Sequence, residues 1–135
     1  MHHRNIAYLI ADSSRARIVL WSRDAGAYRT AVQIDDGLAP AARAHQPHGL
    51  DFREESRKKV RGAFAEVLAE HLRDFAARHP VEGVVLIAPA RVLTPLKVEL
   101  QGGPPILGTL AKDLTKHPDE ALHEQLTQVE IHAPT

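Results

Sequence analysis

Two β-rich apolar runs open the chain, at 6–11 (IAYLIA) and 16–21 (ARIVLW), separated by Asp12-Ser13-Ser14-Arg15. Short polar side chains at such a junction bond their own backbone, so the pair predicts a hairpin with a tight turn. A third run follows Asp24-Ala25-Gly26 and spans 28–34, with Tyr28, Thr30, Val32 and Ile34 at alternate positions. That spacing predicts a third strand carrying these four side chains on one face, and the chain begins as an antiparallel meander. From 35 to 52 the periodicity vanishes among Gly37, Pro40, Pro47 and Gly49, and a long loop is expected. Val60, Phe64, Val67, Leu68, Leu72 and Phe75 then recur at helical spacing with His71 beside the stripe, predicting a helix over 54–78 that His79-Pro80 stops.

Val84 to Ala88 is an unbroken apolar run ended by Pro89, the pattern of a central strand covered on both faces. Thr94-Pro95 supplies a capping residue and a first-turn proline, so a short helix burying Leu96 and Leu100 is expected to begin there. Any helical turn over 91–93 would break or kink at that point. Gln101-Gly102-Gly103-Pro104-Pro105 reads as a rigid turn, 106–111 as a strand, and Pro118 as the first residue of a last helix carrying Leu122, Leu126 and Val129. The order β-β-β-α-β-α-β-α predicts one α/β domain over 1–135, a mixed five-stranded sheet with three helices and the connectivity of ribonuclease H-like folds. In such sheets the first and fourth strands lie side by side, and ligands gather at the strands' carboxyl ends. That edge would hold Asp12, Ser13, Arg91, Lys112 and Asp113, with Arg15 and Arg17 adjoining.

Composition sharpens this picture by exclusion. With 135 residues, 44% hydrophobic and 25% charged, the chain has the balance of a single globular domain. It has no cysteine, hence no disulfide and no thiolate metal site. The apolar run near the N-terminus is too short for a secretory core or a membrane span, so a cytoplasmic protein without membrane insertion is expected. Seventeen basic and 17 acidic residues cancel overall, but residues 1–61 carry +4 and residues 62–135 carry −4. No global field attracts nucleic acid; only local basic clusters can.

Three constellations carry candidate chemistry. A two-metal nuclease needs several carboxylates converging on one point; Asp12 and Asp113 suit two of them, but Pro89-Ala90-Arg91 offers no acid at the fourth strand's end. Asp12 capping its own turn, and Asp113 pairing with a nearby arginine, is the alternative. His45, His48 and Asp51 repeat at three-residue intervals and are the zinc candidates, although Pro47 and Gly49 oppose the helix that would converge them. Arg57, Lys58, Lys59 and Arg61 cluster near the start of the long helix and read either as phosphate contacts or as a solvated face paired with Glu54 and Glu55. No cofactor-binding motif is present, and no catalytic residue is assigned.

Three ordered stretches resemble the host attachment protein family: Ala11 to Ile18 (ADSSRARI), Leu86 to Leu93 (LIAPARVL), and Lys112-Asp113-Leu114-Thr115 before Pro118. The family is a bacterial group related to the middle domain of archaeal and eukaryotic peptide-release factors. The resemblance implies a release-factor-like, ribonuclease H-like domain and an association with RNA or the ribosome. It does not carry over peptidyl-tRNA hydrolysis, because the catalytic Gly-Gly-Gln order is reversed here as Gln101-Gly102-Gly103. The sequence therefore points to a non-enzymatic binding module. The alternatives are a metal-dependent hydrolase or nuclease, and a structural module that oligomerises through an exposed strand edge or the Trp21 region.

Overall fold

Strand β1 (Ile6–Ala11) is buried along its whole length, because both of its neighbours and both of its faces are covered. The computed structural model describes residues 5–34, 53–129 and 131, with the side chains of 53–63 left aside. Around β1 stand β2 (Ala16–Ser22), β3 (Ala27–Ile34), β4 (Gly83–Ile87) and β5 (Ile106–Leu110), in the spatial order β3-β2-β1-β4-β5. The meander is antiparallel, with Tyr8 opposite Val19 and Leu20 opposite Arg29. The crossovers through α1 (Arg53–Arg78) and α2 (Ala90–Glu99) make β4 parallel to β1 and β5 parallel to β4. A 3-10 turn (Asp119–Ala121) and the one-and-a-half-turn helix α3 (Leu122–Leu126) are the last elements among the described residues.

Alternation along the strands divides the core into two layers. Ala7, Leu9, Ile18, Val84 and Leu86 face Phe64, Leu68, Leu72 and Phe75 of α1 and Val92, Leu93 and Leu96 of α2. Ile6, Tyr8, Ile10, Val19, Val85 and Ile87 face the opposite way, under Leu114, Leu122, Leu126 and Val129 of the C-terminal segment. Each fully buried aliphatic side chain contributes about 1.5–3 kcal/mol, so the unbroken apolar β4 is stabilised from both sides. Tyr8 and Tyr28 meet edge-on at 5.5 Å, and burial beside the Tyr28 hydroxyl pushes the Tyr8 phenol above its ordinary value.

The structure departs from the sequence expectations at three places. The alternation of Tyr28, Thr30, Val32 and Ile34 does not keep them on one face. Ile18 pairs with Val32 and Val19 with Thr30, which leaves Ala31 without an opposite residue. This one-residue bulge turns Tyr28 toward the C-terminal segment while Ile34 packs on the α1 side. Second, the helix expected to begin at Thr94-Pro95 begins at Ala90, with Pro95 inside it. Pro89 precedes it, Val92 and Leu93 donate to the Pro89 carbonyl, and the buried Val92, Leu93 and Leu96 outweigh the one hydrogen bond that Pro95 cannot donate. Third, Pro118 caps a 3-10 turn instead of entering a helix, so the observed order gains an element before α3. The loop expected over 35–52 lies outside the described residues.

Gly83 is the tightest point of the sheet. A Cβ there would lie 2.5 Å from Leu107 Cγ and 2.7 Å from the Pro105 carbonyl oxygen. That carbonyl accepts the Val84 N–H at 2.8 Å, so only glycine lets β5 approach β4 closely enough to bond it.

Candidate functional site

The carboxyl ends of β1, β4 and β5 come together on one side of the sheet, and the segments leaving them supply the polar groups. After β1, the Asp12 carboxylate folds back on its own turn: Oδ1 accepts from the Ser14 N–H at 2.7 Å and the Arg15 N–H at 2.6 Å. The Asp12 N–H donates to the Arg15 carbonyl at 2.8 Å, closing the hairpin. The Asp-Ser-Ser-Arg junction is thus fixed by its first residue, as its composition predicts.

After β5, Asp113 accepts from the N–H and hydroxyl of Thr115 at 3.0 and 2.5 Å. The same hydroxyl lies 3.2 Å from Asp12 Oδ2, so it sits between two carboxylates and has one proton to share between them. Asp113 is held below the ordinary aspartate value, first by the Thr115 hydroxyl, then by the Thr115 N–H and by the charges of Lys116 and Arg91. From the first turn of α2, Arg91 Nε donates to Ser13 Oγ at 3.2 Å and ties the β4 crossover to the hairpin turn.

Five of the expected edge residues therefore do converge: Asp12, Ser13, Arg91 and Asp113 through these contacts, and Arg15 through its backbone. Lys112 points toward the C-terminal segment, its Nζ 3.4 Å from Gln128 Oε1. The guanidinium of Arg15 and Arg91 and the ammonium of Lys112 are exposed, and among the described residues none forms an ion pair within 4 Å.

Arg17 does not belong to the edge. Its side chain is 12% exposed and spans the β2 side of the C-terminal segment, donating to the carbonyls of Leu114 and His117, to Thr30 Oγ1 and to Asp119 at 3.1 Å. Burial lowers its affinity for the proton, and Asp119 restores part of it. Asp119 also accepts from the Thr30 N–H at 3.1 Å and hydroxyl at 2.7 Å. Arg17 is thereby a strut for the segment that carries Thr115, with no spare donor directed to a ligand except a buried Nε.

Thr115, Asp119 and Thr30 were not singled out by sequence reasoning. The Asp113-x-Thr115 spacing is the signature of a local side-chain turn and was available. The Arg17–Asp119 pair joins residues 102 positions apart and leaves no local trace. His45, His48 and Asp51 lie outside the described residues. Arg57, Lys58, Lys59 and Arg61 fall in the first turns of α1, with side chains outside the description. Among the described residues, no three His, Asp or Glu side chains come together as a metal group, and no helix is long and apolar enough to cross a membrane.

A mixed α/β domain with an open polar edge at its parallel strand ends is the class that this geometry defines. The family model described as "Protein required for attachment to host cells" matches residues 29–126, and the chain belongs to that family. The match begins in β3 and covers α1 through α3, leaving the first hairpin outside it. No curated protein matches the chain.

Proposed function

We propose that this protein is a non-enzymatic binding module whose polar edge engages an anionic partner, RNA or the ribosome being the class it suits. The observation that carries the reading is the disposition of charge at the edge. Asp12 and Asp113 are engaged by turn N–H groups and by Thr115, whereas the cations of Arg15 and Arg91 stand exposed. Carboxylates engaged by hydrogen bonds and cations left exposed favour phosphate over metal at the same place. The strand order β3-β2-β1-β4-β5 supports kinship with ribonuclease H-like and release-factor middle domains. The basic residues Arg57, Lys58, Lys59 and Arg61 in the first turns of α1 are further candidate phosphate contacts in this reading. The family's description, attachment to host cells, is one of binding and not of turnover. The cytosolic setting rests on composition.

Sedimentation with purified ribosomes tests the proposal. The protein is expected to pellet at low salt and to leave the pellet steeply as salt rises, with Arg91→Ala weakening the association. Protein that stays in the supernatant at low salt refutes it. The hydrolase alternative draws on the closeness of the Asp12 and Asp113 carboxyls across Thr115, but those oxygens are already hydrogen-bonded.

A further inference from the structure

The sheet has two edges, and the sequence treats them differently. On β3 the edge carries exposed Arg29 and Gln33, the Ala31 bulge, and an Asp119 carboxylate that takes the Thr30 N–H. Charges, bulges and covering contacts are the devices by which an edge strand is kept from pairing with another chain. The β5 edge has a bulge of its own at Leu107, since Val84 pairs with Ile106 and Val85 with Gly108, but among the described residues it carries neither a charge nor a covering contact. Pro104 to Ala111 contains no charged residue, Ile106 and Thr109 are exposed, and among the described residues only β4 pairs with β5. Ile106, 37% exposed, and Val98 of α2, 58% exposed, are the two large apolar side chains left to solvent among the described residues.

We propose that β5 pairs antiparallel with β5 of a second copy of this chain, joining two five-stranded sheets across a two-fold axis. A second copy is the occupant that the strand itself specifies. A strand paired antiparallel with its own copy is self-complementary by symmetry. With no charge from 104 to 111, it brings no like charges face to face. The same operation at β3 would bring Arg29 toward its copy. Pro104 and Pro105 lack N–H groups and end the ladder on one side. The seam is short, so the dimer is of the reversible kind that responds to concentration.

Sedimentation equilibrium of the full chain from micromolar to millimolar protein tests this. A monomer–dimer equilibrium is expected. Thr109→Lys, at an exposed position, should weaken dimerisation by about tenfold or more, through like charges across the axis. Ala31→Lys, on the other edge, should leave it unchanged. Amide exchange at 106–110 should slow as the wild-type concentration rises, a readout that needs no variant to fold. A wild type monomeric at millimolar concentration overturns the proposal. So does a dimer that tolerates Thr109→Lys with circular dichroism showing the variant folded, or concentration-dependent protection that falls on β3 instead of β5.

Discussion

Arg17→Met isolates the strut that holds the C-terminal segment against the sheet. Methionine keeps most of the aliphatic stem but leaves the Leu114 and His117 carbonyls and the Asp119 carboxylate without their guanidinium. Truncating one partner of a fully buried ion pair costs about 3–5 kcal/mol. Here Arg17 is 12% and Asp119 23% exposed, so water reaches the abandoned groups and Asp119 keeps its two bonds from Thr30. The loss scales down to about 2–3 kcal/mol. Urea unfolding followed by circular dichroism measures it, since a shift in midpoint at unchanged slope reports stability alone. Asp119→Asn should cost about 1 kcal/mol, and the double variant should fall short of the sum because both changes break one interaction. A loss below about 0.5 kcal/mol for Arg17→Met, the range of neutral surface substitutions, would refute the idea that this network anchors the segment.

Three further outcomes are expected. Gly83→Ala forces its Cβ into Leu107 and the Pro105 carbonyl and should destabilise by about 1–3 kcal/mol in a denaturant melt. Pro95→Ala restores the N–H that can reach the Arg91 carbonyl within α2 and should raise stability by about 1 kcal/mol; an unchanged or lower midpoint would show that the helix has adapted to the proline. Thr115→Val removes the chief cause of the lowered Asp113 value, so carboxyl titration by NMR should find Asp113 shifted back up. Since the folded-state value of Asp113 lies below its unfolded one, its contacts add stability at neutral pH. That contribution is lost as acid carries the pH down through the folded-state value, and the variant should have less of it to lose.

The elements with strong local patterns were legible in the sequence. The hairpin over 6–21, the helix ending at Arg78 and the buried β4 follow from alternation, helical spacing and an apolar run, each a property of neighbours in the chain. Pro95 misled because its local effect, a missing donor, is small beside the burial of Val92, Leu93 and Leu96, which depends on a sheet assembled from distant residues. The faces of β3 were misassigned for a similar reason: nothing in Tyr28 to Ile34 announces that Ala31 goes unpaired. At the site, Asp12 reading as a turn cap was visible, because the N–H groups that donate to it lie within three residues. The displacement of Arg17 from the edge was not, because it depends on carbonyls and a carboxylate about a hundred positions away.

The unpaired Ala31 also bears on how relatives of this chain should be compared. Removing that single residue would let β2 and β3 zip together without interruption, but it would rotate everything on one side of the gap by half a period. Either Tyr28 would leave Tyr8 and Trp21, or Ile34 would leave the helical layer. A one-residue gap at this position between two otherwise similar sequences is therefore a change of inside for outside, and substitution scores that count it as a minor length difference will understate what it does to the protein.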